Sequence, residues 1–102
     1  GASELSIVSG TTSLQTITDD GAYQLWIDAY AMAKGDEFII LLYEKVEGTG
    51  GTKKQFVAFT LLGVQSEVFV TPTFVLINGW DMTIQKVVGT DRAFDASIRK
   101  LA

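Results

Sequence analysis

The chain has 102 residues, a formal net charge of −4 and neither histidine nor cysteine. Without imidazole or thiol groups, the commonest general base, the thiol nucleophile and the commonest metal ligands are excluded. The acidic charge argues against a basic face for nucleic acid, and no apolar run approaches the roughly 18 residues that span a bilayer. We therefore expect a single domain that is not an enzyme and has no cofactor, bound metal, nucleic-acid partner or membrane partner.

Alternation of apolar and polar residues with a period of two dominates the chain and predicts an all-β fold. Seven or eight strands separated by turn residues are typical of an antiparallel β-sandwich or a jelly-roll-like barrel. In chain order, the expected strands are Leu5–Ser9, a possible short strand Leu14–Thr18, Ala22–Met32, Glu37–Val46, Lys54–Leu62, Glu67–Ile77, Met82–Val88 and Phe94–Leu101.

Residues 1–18 differ in composition from the rest, with eight Ser or Thr residues and a single charge, Glu4. Such a segment has too few large apolar residues to build much of a core. We expect residues 1–18 to form an extended N-terminal arm and residues 19–102 to form the β-sandwich domain. An arm of this kind can add a strand to the sheet edge of a neighbour, with anchoring side chains at Leu5, Ile7, Leu14 and Ile17.

Glycine, asparagine and aspartate mark the expected turns, at Asp19-Asp20-Gly21, Lys34-Gly35-Asp36 and Asn78-Gly79. The segment Gly48–Thr52 lies between two strongly patterned strands and predicts the tip of a long hairpin. Pro72 interrupts an apolar run, which places that strand at a sheet edge or predicts a bend.

The segment Phe38–Leu42 is apolar on both faces of its strand, so its outer face needs a cover. The cover is either another subunit or a long loop over a central strand. Under the first interpretation, the subunit contact includes Phe38, Ile40 and Leu42, and Trp26 and Tyr30 add to it.

The end of the chain is locally basic, with Arg92, Arg99 and Lys100 and with Lys86 nearby. These residues are either solvated strand positions or a docking patch for an acidic protein surface.

Carboxylates are the only serious candidates for catalysis, and most of them lie beside glycine or at strand ends, where turn residues belong. Oxygen ligands at Asp19-Asp20-Gly21 suit a hard cation, but their spacing is not that of a known calcium loop. The glycines between Gly48 and Lys53 lack the spacing of a phosphate-binding loop. Turn chemistry is the better explanation for all three features.

Four segments in order, Thr18–Asp28, Gly50–Thr52, Asn78–Thr83 and Gly89–Phe94 with Ser97–Arg99, resemble small all-β virion proteins of tailed bacteriophages. The resemblance runs from about Thr18 to Arg99. Where that group usually has aromatic or proline residues after Phe94, this chain has Asp95-Ala96.

The resemblance implies a capsid decoration (cement) protein that binds the outer surface of the head shell and stabilises it. Its partners would be the major capsid protein and further copies of itself, as a homodimer or homotrimer. The protein would be assembled in the host cytoplasm and located on the outside of the virion. Two alternatives stay open: a carbohydrate-binding or tail-fibre domain that stacks sugars on Trp80, Tyr30 or Trp26, and a tail-tube or head-completion protein.

Overall fold

The computed structural model describes residues 2–7, 11–14 and 19–101. Within these ranges the fold is all-β, as predicted, with nine strand segments and no helix, hence no helix that could cross a membrane. The strands are β1 (Ala2–Ile7), β2 (Thr11–Ser13), β3 (Gly21–Asp28), β4 (Glu37–Glu44), β5 (Lys54–Leu62), β6 (Phe69–Val70), β7 (Phe74–Leu76), β8 (Trp80–Val88) and β9 (Arg92–Lys100).

The strands form two antiparallel sheets. One has the order β1-β9-β3-β6, with β7 also pairing with β3, and the other has the order β2-β8-β4-β5. If β6 and β7 count as one broken strand, the pairs are nested: β4 with β5, β3 with β6 and β7, β2 with β8, and β1 with β9. Such nesting is one long hairpin rolled into two layers, which is the jelly-roll arrangement of eight strands.

Alternate residues of β3, β4, β5, β8 and β9 enter the space between the sheets, as the period of two requires. Tyr23, Leu25 and Ile27 of β3 show no solvent exposure, and each lies between outward-facing neighbours. Tyr23 packs on Trp80 of the opposite sheet with ring centroids 4.7 Å apart. The Tyr23 hydroxyl and the Trp80 indole N–H both donate to the carbonyl of Asp19, at 2.7 and 3.3 Å.

One ion pair ties the two sheets together at the other end of the sandwich. Asp36 immediately precedes β4, and its carboxylate accepts hydrogen bonds from Arg92 Nε of β9 at 2.7 Å and from Ala33 N at 2.9 Å. Asp36 is only 4% exposed. The Arg92 hydrogen bond, followed by the Ala33 bond, lowers the pKa of the Asp36 carboxyl below its ordinary value of 3.8.

The strand predicted at Glu67–Ile77 is broken, which confirms the expected effect of Pro72. Thr71 leaves the ladder because its Oγ1 accepts from Leu25 N at 3.0 Å, while Thr71 N donates to Leu25 O. Proline has no N–H for a ladder bond. β6 and β7 consequently pair with different parts of β3, and along their other side the described residues provide no partner.

The long hairpin predicted around Gly48–Thr52 is present as β4 and β5. The register shifts at Leu42 and Tyr43, which pair with Val57 and Gln55, so Phe56 is the extra residue of a β-bulge. Beyond the bulge, Val57–Leu62 pairs regularly with β4.

The described parts of the predicted arm pair with the chain's own sheets: β1 with β9 and β2 with β8. They occupy the outer edges, which are the positions that an arm would take on a neighbour. The division at residue 18 and the exchange with a neighbour stay predictions. Leu14 is buried in the chain's own core.

Candidate interaction surface

Exposed apolar side chains concentrate on one side of the sandwich, where β5 and the broken strand β6–β7 form the sheet edges. Of twelve large hydrophobic residues that are exposed in the described part of the chain, seven lie on or next to these strands. We call these seven the apolar flank: Phe56, Leu62, Val64, Val68, Val70, Val75 and Ile77. Since exposed apolar side chains gathered on neighbouring sheet edges mark interaction sites, the apolar flank is the leading candidate for an interaction surface.

Aromatic contacts between the two edge strands hold the apolar flank together. Phe59 of β5 lies against Phe69 of β6, with centroids 5.2 Å apart, and Phe56 meets Phe74 of β7 edge-on at 5.6 Å. These rings close the space between the sheets on this side. Phe56 nevertheless stays 47% exposed, so the closure is incomplete.

A second feature lies on the outer face of the sheet β1-β9-β3-β6. The Arg99 guanidinium carbon stands 3.8 Å from the centre of the Trp26 ring, a cation–π contact. A recess of about 310 Å³ adjoins this contact, and Asp28, Val68, Asp95 and Ser97 contribute to its lining. The Trp26 indole N–H is buried without a hydrogen-bond partner among the described residues.

The predicted subunit contact at Phe38, Ile40 and Leu42 is wrong. All three side chains point into the chain's own core and are 0–1% exposed. The outer face of β4 carries Ile39 and Leu41 instead, so the strand is apolar on both faces as expected. Leu41 is only 9% exposed, and the sequence pattern could not tell which face meets the opposite sheet.

The basic residues do not form one docking patch, which corrects that interpretation. Arg92 is committed to Asp36, and Lys86 contacts Asp91 at 2.6 Å. Arg99 and Lys100 lie at the far end of β9, seven and eight residues along the strand from Arg92. The Arg99 side chain contacts another predicted residue, Trp26.

The remaining predicted residues are dispersed. Tyr30 follows β3 and is 50% exposed. Leu5 and Ile7 belong to β1, opposite Phe94 and Arg92, and Ile17 lies outside the described residues. Trp80 is fully buried and cannot be a sugar platform, while the ring of Trp26 is covered by Arg99.

No group of three or more acidic side chains that could hold a metal ion occurs within the ranges that the structure describes. Sequence reasoning missed the apolar flank. The sequence feature that could have indicated it is the presence of apolar residues on both faces of the strand, in Val68–Val70 and Phe74–Ile77, on either side of a strand-breaking proline. Read together, these features indicate an edge strand whose outer face is also apolar.

No family model, curated protein or solved structure matches this chain.

Proposed function

We propose that this protein is a structural component of a phage virion, a decoration protein that binds the outer surface of the head shell and associates with further copies of itself. The proposal rests on one observation, the apolar flank on a jelly roll. Jelly rolls recur in viral capsid and lectin domains, and an exposed apolar side is what a subunit of an assembly requires.

The size of the apolar flank indicates how the protein would assemble. Fully burying a Val or Leu side chain contributes about 1.5–3 kcal/mol, so covering half of the exposed area of seven partly buried side chains contributes on the order of 5 kcal/mol. The loss of translational and rotational freedom on association costs a similar amount or more. A single contact of this kind is therefore weak, and repeated contacts on a shell would make attachment stable.

The location is tested on particles purified from the virus that encodes the chain. Negative-stain images of particles with and without this protein are expected to differ in density on the outer surface of the head. Additional density on the tail, or no difference between the two particles, would contradict the decoration role.

Self-association is tested by light scattering, with a lysine in place of an exposed valine. Val64→Lys, next to β5, is expected to shift the protein towards monomer. Val46→Lys is the matched control because Val46 is 97% exposed at the hairpin tip and lies outside the apolar flank. Equal behaviour of the two variants, or a monomeric parent protein at high concentration, would exclude the apolar flank as the contact.

A further inference from the structure

We propose that two copies of this protein pair through their β5 strands, edge to edge and antiparallel across a two-fold axis, to form one continuous sheet of eight strands. This inference rests on the proposed self-association and names the strand that performs it.

The first argument is that β5 is an open edge. β5 is the last strand of its sheet, and among the described residues only β4 pairs with it. Half of its backbone N–H and C=O groups therefore point away from the sheet. Water can satisfy these groups in a single copy, and another extended chain can pair with the whole row in register.

The second argument compares the two edges of the apolar flank. β6–β7 is broken at Thr71, and Pro72 removes a donor, which are two of the devices by which proteins keep edges from pairing. β5 contains no proline, and beyond its bulge it runs regularly for six residues, Val57–Leu62. Its length there is about 20 Å. Of the two edges of the apolar flank, only the open edge of β5 can thus accept a strand.

The third argument concerns the choice of a second copy as the partner. Between Gln55 and Leu62 the strand has no charged residue, so two copies bring no like charges together at the centre of the pair. Antiparallel pairing sends the two Lys54 side chains to opposite ends, more than two Debye lengths apart at physiological salt, since this length is about 8 Å. Such self-complementarity is the requirement for a two-fold contact.

The pairing also places the outward-facing residues opposite one another. Ala58 and Thr60 are exposed on the outer face of β5, whereas Val57, Phe59 and Leu61 turn inwards. A two-fold axis perpendicular to the sheet keeps each residue on its own face. Three registers then place Ala58 and Thr60 opposite themselves or each other: Ala58 opposite Ala58, Ala58 opposite Thr60, or Thr60 opposite Thr60.

The area of the contact predicts a weak dimer. A side about 20 Å long and about 20 Å high, the thickness of two stacked sheets with their side chains, buries about 800 Å² over both copies, below the 1,200 Å² of ordinary stable complexes. A covalent trap is therefore more suitable than a column for detecting it.

The chain has no cysteine, so single cysteines can trap the pair without interference. Directly opposed residues of an antiparallel pair lie within the Cα separation that a disulfide allows. The experiment oxidises Ala58→Cys, Thr60→Cys and their equimolar mixture with glutathione disulfide. Covalent dimer is measured on non-reducing gels, and melting curves verify the fold of each variant.

We expect one of the three samples to give about tenfold more covalent dimer than the control, since pairing raises the local thiol concentration towards the millimolar range. The sample that does so identifies the register. The control is Asp95→Cys, an exposed position on a central strand of the other sheet.

Two results would overturn the inference. If none of the three samples exceeds Asp95→Cys while light scattering still detects oligomers, Ala58 and Thr60 of two β5 strands do not meet, so the inferred pairing fails and the proposed self-association stands. If none exceeds the control and the protein is monomeric, the self-association fails as well. Attachment to the shell is decided separately by the particle images.

Discussion

At the scale of single residues, Asp36 links the two sheets at one end of the sandwich. Its carboxylate joins the turn before β4, through Ala33 N, to Arg92 of the opposite sheet. Gly89 stands beside it with φ of +114°, a backbone conformation that L residues rarely adopt. A Cβ atom at position 89 would collide with the Asp36 carboxylate. The ion pair and the glycine thus form one tightly packed unit.

We expect acid to weaken the fold through Asp36. Because the pKa of Asp36 in the folded protein is below its ordinary value of 3.8, the charged form stabilises the fold at pH above that value. This stabilisation is lost as the pH falls through the lowered pKa. Urea unfolding between neutral and strongly acidic pH should show a flatter dependence for Asp36→Asn than for the parent chain.

Arg92→Gln should flatten the curve in the same direction, because the Arg92 hydrogen bond is the largest cause of the lowered pKa. Parallel curves for the parent and both variants would show that the pair does not govern acid stability.

Substitution of Gly89 separates backbone strain from steric collision. Gly50→Ala, at a φ of +73° with open space around it, should lose about 1 kcal/mol of unfolding free energy. Gly89→Ala should lose about 1–3 kcal/mol more, because the new methyl group also displaces Asp36. Urea denaturation at neutral pH measures both losses. Equal losses would mean that the turn relaxes away from the carboxylate.

At the scale of elements, the break between β6 and β7 is the least regular part of the sandwich. Thr71 is 2% exposed and both accepts from and donates to the backbone of Leu25, so it replaces the ladder that Pro72 interrupts. Gln24 Nε2 adds a bond to the Thr71 carbonyl at 3.2 Å. The edge strand is consequently held at its bend by a side chain as well as by its backbone.

Thr71→Val should lower the unfolding free energy by about 1–3 kcal/mol, because it leaves the buried N–H of Leu25 without an acceptor. Thr73→Val is the matched control: Thr73 is exposed, and its change should lie within about 0.5 kcal/mol of zero. Thermal or urea unfolding of both variants tests the difference. A loss shared equally by the two variants would contradict the role of the Thr71 hydroxyl.

The strand bounds show which parts of the fold can be predicted from local sequence patterns. β5 was predicted with its observed bounds, Lys54–Leu62, and β3, β4, β8 and β9 to within about four residues, because alternation and turn residues are local signals. The bend at Pro72 followed from its missing N–H. The hydrogen bond by which Thr71 compensates for the bend joins residues 46 positions apart, and no local pattern contains it.

At the scale of the whole molecule, the all-β sandwich was predictable and the assignment of its faces was not. Phe38–Leu42 is apolar at every position, so the pattern was silent on whether Phe38, Ile40 and Leu42 or their neighbours face the core. The two tryptophans posed the same problem. Trp80 is buried against Tyr23, whereas Trp26 lies on the outer face of its sheet under Arg99. Only the pairing of strands that are distant in the sequence decides which tryptophan is buried.

The same limit explains why the apolar flank was missed. Its residues come from β5, β6, β7 and the segments next to them, and they reach the same side of the molecule only when the two sheet edges meet through Phe59 and Phe69. The sequence contained each member of the set. Their proximity could not be inferred from the sequence, because it depends on the nested order of the strands.

The broken edge at β6–β7 limits how many copies of the protein can add to one another through the apolar flank. A subunit with two adhesive edges adds neighbours indefinitely and produces fibres, whereas a subunit with one such edge is saturated by a single partner. Because Thr71 and Pro72 disable the β6–β7 edge, edge-to-edge assembly through the apolar flank would stop at two copies. The break that makes β6–β7 irregular would thus keep copies from adding one after another on this side of the sandwich before the protein meets its binding surface.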